Sequence, residues 1–211
     1  MLPSARSPEV SIILNLHNET RFLRRTMMSI GEAVGYAAPY GIRCEIVCVL
    51  DRPDPSTRAW IEACDFSRYA NYTVIEVDNG SLGLSRNAGI ARARGGYIWL
   101  CDADDLISYN MLSGLFQTSV AAGPKTIVIP EFLCAFGANF HLSRYFGTDK
   151  ASKLLLFHMH PFISRIFAHR SLFDALQFSD ARLSRGFAYE DWHFNCEALA
   201  LGYEFRLCFP Q

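Results

Sequence analysis

The stretch Tyr97-Ile98-Trp99-Leu100-Cys101-Asp102-Ala103-Asp104-Asp105 decides the fold. Gly95 and Gly96 break the chain ahead of it, and β-forming apolar residues then run straight into three carboxylates within four positions. A buried strand that delivers negative charge to its own carboxyl end points to an open α/β sheet, where ligands bind outside those ends. Close carboxylates repel one another and shift each other's titration unless a cation is shared among them. The simplest such cation is a hard divalent ion, Mg²⁺ or Mn²⁺, which takes oxygen ligands and keeps positions open for phosphate. The same acids also suit a turn that caps the next helix, and the stretch alone does not choose between the two.

Working outward, the preceding chain repeats a strand-helix rhythm. Val10 to Leu16 is a nearly continuous apolar run, as in a strand covered on both faces. It ends in the polar cluster His17-Asn18-Glu19-Thr20, and Phe22, Leu23, Thr26, Met27, Ile30 and Val34 then recur at helical spacing up to Pro39-Tyr40-Gly41. Glu45 to Leu50 is a second strand that stops at Asp51-Arg52-Pro53-Asp54-Pro55, where two prolines hold Asp51 and Arg52 in a stiff loop. A carboxylate there can accept from an imide N–H such as that of uracil, or cap a turn. A short helix over Thr57 to Ala63 and a strand over Tyr72 to Val77 complete a β-α-β-α-β order, which implies parallel strands with right-handed crossovers. Asp78 to Gly83 is a glycine-containing loop opening a helix over Leu84 to Ala93, and its Arg86 in the first turn makes a plausible phosphate or ribose contact. Arg92 and Arg94 read as solvated helix-end charges.

Beyond Asp105 the pattern predicts a helix over Tyr109 to Ala121 and a strand over Thr126 to Phe132. Leu133 to His160 loses clear periodicity. A strand over Ser164 to Ala168, a helix over His169 to Leu176, a polar loop from Ser179 to Gly186, a helix over Glu190 to Leu201 and a strand over Tyr203 to Phe209 follow. The absence of a closing helix after Pro210-Gln211 suggests a shortened tail.

Composition narrows the class. The chain has 211 residues, half of them hydrophobic, with a formal net charge of −1, which suits one domain with a sizeable core and gives no basic face for general nucleic-acid binding. Its seven cysteines show no Cys-x-x-Cys spacing and read as small buried residues of a reducing compartment. No apolar run approaches the roughly 20 residues of a membrane span. The expected location is the cytoplasm, with peripheral association at the inner face of a membrane left open.

Taken in order, these pieces resemble the inverting family 2 glycosyltransferases of the GT-A fold. The resemblance rests on Val10-Ser11-Ile12-Ile13 leading to Asn18-Glu19, the strand ending at Asp51, Leu84-Ser85-Arg86-Asn87-Ala88-Gly89-Ile90, Gly96-Tyr97-Ile98 running into Asp102-Ala103-Asp104-Asp105, Ile163-Ser164-Arg165, and Glu190-Asp191-Trp192 followed by Gly202-Tyr203. Each pattern is common alone; their order and spacing are specific. The resemblance implies an α/β fold with one mostly parallel central sheet flanked by helices. It implies one catalytic domain over 1–211, with a nucleotide-binding half at about 8–132 and an acceptor-side half at about 133–211.

It also implies roles. Asp102 and Asp104 match the family's Asp-x-Asp, which holds the donor's ribose and diphosphate through Mn²⁺ or Mg²⁺, with Asp104 the direct ligand and Asp105 in support. Asp51 matches the carboxylate that reads the base, commonly uracil; Asn15 and His17 match positions lining the base pocket; Arg86 matches a cation on the nucleotide. Asp191 matches the catalytic base, with Glu190 beside it on the acceptor side. The implied partners are a nucleotide-diphosphate sugar, with UDP the expected nucleotide, and an acceptor hydroxyl on a saccharide, a lipid-linked glycan or a protein glycan. The implied setting is polysaccharide or glycoconjugate biosynthesis.

There are departures. Asn15-Leu16-His17-Asn18 stands for the usual Pro-x-Tyr-Asn, leaving base stacking to His17, and Leu50-Asp51-Arg52-Pro53 stands for Asp-Asp-Gly-Ser, so Arg52 could meet a phosphate or an acidic sugar. The Gln-x-x-Arg-Trp of processive synthases is missing, which favours transfer of a single sugar. His193, two residues past Asp191 on a helix, is expected to point away from it. His158 and His160 are candidates for acceptor contact or a third metal ligand, against an ordinary structural role. Two rivals remain. A sugar nucleotidyltransferase would carry a glycine-rich basic loop where Leu16-His17-Asn18-Glu19 stands, and a silent binding module would not need Asp191.

Overall fold

A computed structural model describes residues 7–137, 139–150, 152–181, 186 and 189–208. In chain order the elements are β1 (Val10–Leu16), α1 (Thr20–Ala37), β2 (Cys44–Asp51), α2 (Pro55–Glu62), β3 (Asn71–Val77), α3 (Leu82–Arg92), β4 (Tyr97–Asp102) and α4 (Met111–Ala122). Then come β5 (Thr126–Ile129), β6 (Phe132–Ala135), β7 (His141–Arg144), β8 (Phe167–His169), α5 (Ser171–Ala175), α6 (Glu190–Ala200) and β9 (Glu204–Leu207). Seven strands form one sheet in the order β3-β2-β1-β4-β8-β5-β9, and β6 pairs with β7 in a separate hairpin. β1 to β4 pair in parallel, β5 pairs in parallel with β9, and β8 runs antiparallel to both β4 and β5.

The sheet sits between two apolar layers because β1, β2 and β4 are buried on both faces. Side chains alternate across a strand, so Ile12, Leu14, Ile46, Cys48, Trp99 and Cys101 enter one core with Leu23, Met27 and Ile30 of α1 and Leu112 and Leu115 of α4. Ile13, Val47, Val49, Ile98 and Leu100 enter the other core with Phe194 and Ala198 of α6. Fully burying one such aliphatic side chain stabilises the fold by roughly 1.5–3 kcal/mol.

Strand order reverses between β1 and β4, so α1 and α3 lie on opposite faces, as right-handed crossovers require. The crevice at that reversal is where an open α/β sheet binds its ligand. α3 packs very close to the sheet there. A Cβ placed on Gly89 would stand 2.5 Å from Ile13 Cγ2 and 2.8 Å from Val49 Cγ2.

The expected elements are present, with bounds shifted by one or two residues in α2, α3 and α4 and more widely after Ile129. β5 was expected to reach Phe132, but Pro130 has no N–H for the ladder, and Phe132 starts the hairpin instead. The expected strand over Ser164 to Ala168 is observed as Phe167–His169, and the helix expected from His169 begins at Ser171. The aperiodic stretch from Leu133 to His160 holds the four-residue strands β6 and β7 and a 3-10 turn over Lys153–Phe157. Strands that short, exposed on both faces, leave no alternation to read. Residues 182–185 of the polar loop expected at 179–186, the pair Phe187-Ala188 and the end of the last strand at Phe209 lie outside the described residues. Among the described residues no helix is long and apolar enough to cross a membrane.

Candidate active site

Strand parity assembles the site. Asn15 continues the face of Ile13, Asp51 that of Val49, and Asp102 that of Leu100, so all three project from the carboxyl ends of adjacent strands toward α3. Register aligns them too, with Asn15 opposite Asp102 on one side and Val49 on the other.

The first two turns of α3 supply Ser85 and Arg86 to that face, Arg86 falling in the second turn because the helix starts at Leu82 rather than at the expected Leu84. Asp51 Oδ1 accepts from Asn79 N at 2.9 Å and Gly80 N at 3.0 Å, while Oδ2 accepts from Ser85 Oγ at 2.8 Å and Ser81 N at 3.3 Å. Burial works to raise the Asp51 carboxyl, but these hydrogen bonds outweigh it and hold its pKa below the ordinary Asp value. Asp51 therefore folds the β3–α3 loop around itself. Beside it, His17 Nδ1 lies 2.6 Å from the Asp51 carbonyl, which fixes an exposed imidazole over the same strand end. Arg52, at φ 52°, pairs with Asp78 across the loop.

Arg86 is 1% exposed, the largest fully buried side chain described. Its Nη1 donates to Glu190 Oε1 at 2.9 Å and its Nη2 to Asp102 Oδ1 at 3.4 Å, with the guanidinium 5.3 Å from the Phe178 ring centroid. One cation thus ties the tip of β4 to the first turn of α6. A second arginine closes the other side: Arg165 Nη1 lies 3.3 Å from Asp102 Oδ2, and its Nε lies 2.7 Å from Asp105 Oδ2. Burial pushes the Asp105 carboxyl up to about 6, with Arg165 opposing it and Asp102 and Asp104 adding to it. Asp104 is exposed and has no hydrogen-bond or ion-pair partner among the described residues.

Asn15 is 8% exposed, and neither its amide nitrogen nor its oxygen has a partner. Buried polar atoms are nearly always hydrogen-bonded, so an unpaired amide at the strand reversal fits a polar ligand that completes it. A cleft of about 560 Å³ opens beside Asp104, Asp105 and Arg165, walled by Phe22, Met111 and Phe132.

The first turn of α6 carries Glu190 and Asp191 behind Tyr189, which is held at φ 66°. Such left-handed backbone is costly for a bulky residue and is retained where the surroundings enforce it. The two acids diverge: Glu190 faces Arg86, whereas Asp191 Oδ1 accepts from Trp192 N at 2.9 Å and its Oδ2 lies 3.6 Å from His160 Nδ1. His193 turns along the helix toward Glu197, at 3.6 Å, and His158 is exposed.

Residues 11–176 match the sequence profile of the family described as glycosyl transferase family 2. The chain belongs to glycosyltransferase family 2. Its fold is also that of solved structures of S. aureus TarS. The 1–349 fragment is 15% identical with a TM-score of 0.67, covering 94% of this chain and 57% of that one. A longer TarS structure is 14% identical with a TM-score of 0.69, covering 96% of this chain and 35% of the other. The fragment in complex with UDP-GlcNAc is 14% identical with a TM-score of 0.66. The family 2 chain therefore spans little more than half the length of the shorter of these proteins. No curated protein sequence matches it significantly.

The GT-A architecture expected from the resemblance is the one observed. Reading the family 2 sequence missed the work of three side chains. Arg165 stood in a quoted motif but its pairing with Asp102 and Asp105 depends on β8 lying beside β4. Ser85 sits next to Arg86, yet nothing local says that it faces Asp51. Asn195, whose Nδ2 lies 2.8 Å from His160 Nε2, carried no signal except its place four residues after Asp191 on one helix.

Proposed function

We propose that this chain transfers a single sugar from a nucleotide-diphosphate donor, with UDP as nucleotide, to an acceptor hydroxyl with inversion at the anomeric carbon. The observation that carries this reading is Arg86, buried and bound to both Asp102 and Glu190, because it brings the donor-side tip of β4 and the acid-bearing turn of α6 to one place. Family membership supports the reaction class. TarS has been solved with UDP and with UDP-GlcNAc, which supports a UDP-sugar here.

On this reading Asn15 and His17 border the nucleoside, and Asp51 shapes the loop that faces it. Arg86 and Arg165 offset the charge of Asp102 and Asp105 while the diphosphate is bound. Asp191 takes the proton from the acceptor hydroxyl, which requires a separation of about 3 Å in the complex. The acceptor oxygen bonds to the anomeric carbon as the bond to the diphosphate oxygen breaks, and the nucleoside diphosphate leaves as a stabilised anion. Glu190 acts by holding Arg86.

The donor set also bears on a divalent ion. Among the described residues no three His, Cys, Asp or Glu side chains are grouped to hold one. Mg²⁺, however, commonly uses one or two carboxylates together with substrate phosphates, and the unpaired Asp104 with Asp102 fits that smaller requirement. Mn²⁺ or Mg²⁺ held there would supply Lewis-acid stabilisation of the leaving diphosphate.

Two variants test the reading. Asp191→Asn should retain UDP binding by calorimetry while losing sugar transfer, and Asp104→Ala should weaken only the Mn²⁺-dependent part of UDP binding. Turnover by Asp191→Asn at the unmodified rate removes Asp191 from the reaction.

A further inference from the structure

Resting on the reading of Asp191 as the base, we propose that His160 is a positioning residue whose Nδ1–H orients and polarises the Asp191 carboxylate, its tautomer being set by Asn195. The argument begins with helix geometry. Asp191 and Asn195 stand four residues apart in α6 and so share one face. His160 spans them, with Nδ1 3.6 Å from Asp191 Oδ2 and Nε2 2.8 Å from Asn195 Nδ2.

An amide nitrogen only donates, so with the Asn195 Nδ2 end turned to the ring Nε2 offers its lone pair and the ring proton sits on Nδ1, toward Asp191. Asn195 is 1% exposed, which removes competing water from that bond. The imidazole also lies parallel to the Trp192 ring at 5.6 Å and 7°, so both its plane and its rotation are held. Burial lowers the His160 pKa from its ordinary value, and Asp191 opposes this, which keeps the ring neutral near pH 7. A neutral donor steadies the carboxylate without neutralising it. The backbone N–H of Trp192 occupies Oδ1, and His160 faces Oδ2. Between them they define the lone-pair direction left for the acceptor proton.

The arrangement resembles a general base whose orientation a second group sets, but with the roles of acid and imidazole exchanged. Misplacing a reacting group by about 1 Å can cost on the order of 100-fold in rate.

The test has two readouts. In ¹⁵N-labelled protein, long-range ¹H–¹⁵N correlation spectra distinguish the imidazole tautomers, and His160→Phe identifies the His160 signal by its loss. The expected result is the Nδ1–H form; an Nε2–H form overturns the proposal. For the rate, UDP release from UDP-sugars should fall about 10- to 100-fold in His160→Phe, with the donor KM unchanged, although phenylalanine preserves the stack on Trp192. His160→Asn, which returns an N–H donor at the position of Nδ1, should recover part of that loss. If phenylalanine is as active as histidine, or more active than asparagine, the role is packing alone and the proposal fails. Asp191→Asn run alongside separates the two ideas. Its inactivity beside an active His160→Phe defeats only the positioning role, whereas an active Asp191→Asn defeats the base.

Discussion

The strands β1 to β4 and the chain from Pro130 to His160 are built on opposite terms. In the first region β1 and β2 are buried along nearly their whole length, and Asp51 and Asp102 at the carboxyl ends of β2 and β4 meet partners from α3, from the loop before it and from Arg165. In the second, β6 and β7 pair only with each other, and Phe136, Phe140, Leu154 and Phe157 are all exposed. A two-stranded hairpin with both faces in water is marginal by itself. The strand-end residues are thus fixed by the global stability of the sheet, whereas the neighbouring hairpin is held mainly by its own pairing. Such a division leaves a surface segment free to vary beside a rigid scaffold.

The sharpest way to break the contrast is Arg86→Met. Removing one partner from a buried charge network costs about 3–5 kcal/mol, because the remaining carboxylate stays buried without its cation. Glu190 is left without that cation while Asp102 keeps Arg165, so stability by denaturant titration should fall into that range and transfer should be lost. A loss below about 1 kcal/mol would mean that the β4 tip and the α6 turn are not coupled through this guanidinium.

Gly89→Ala probes the same region through packing. The added methyl meets Ile13 Cγ2 and Val49 Cγ2 inside van der Waals contact. Overpacking costs roughly 1–3 kcal/mol, and the roughly 1 kcal/mol gained in helix propensity offsets part of it. A net loss of about 1 kcal/mol in thermal or chemical unfolding is expected.

Asp51→Asn adds a pH signature. The folded Asp51 pKa is depressed, so its contribution is fully present above the unfolded value near 3.8 and is lost as pH falls through the lower folded value. The variant should therefore be less stable than the parent by about 1 kcal/mol at neutral pH, and the two unfolding curves should converge in strong acid. A gap that persists in strong acid, where the folded carboxyl is protonated, would assign the effect to packing instead.

The same contrast explains what could be read from the chain. The runs Val10 to Leu16 and Tyr97 to Asp102 declare parallel strands because burial on both faces demands unbroken apolar sequence. The acids after such a run are visible for the same reason, so Asp51, Asp102 and Asp104 were singled out directly. What those acids touch was not legible. The four donors to Asp51 come from a loop and helix 28 to 34 residues away, and Arg86 meets Glu190 across 104 residues. Nor did His160 betray its partner, since the contact joins an aperiodic segment to a helix face. Composition can mark a residue as polar and placed at a strand end; only topology supplies its neighbour.

The smallest expected effect closes the comparison from the hairpin side. Phe157 is 90% exposed and Phe140 is 73% exposed, so replacing either by serine removes little apolar burial. Exposed substitutions away from caps, cores and charge networks usually change stability by no more than about 0.5 kcal/mol. Phe140→Ser and Phe157→Ser should therefore unfold with the parent in denaturant, while native-state hydrogen exchange finds β6 and β7 opening far more readily than β1 or β4. A loss above about 1 kcal/mol in either variant would mean that these rings are packed in solution, and the division between a fixed sheet and a loosely attached segment would then have to be given up.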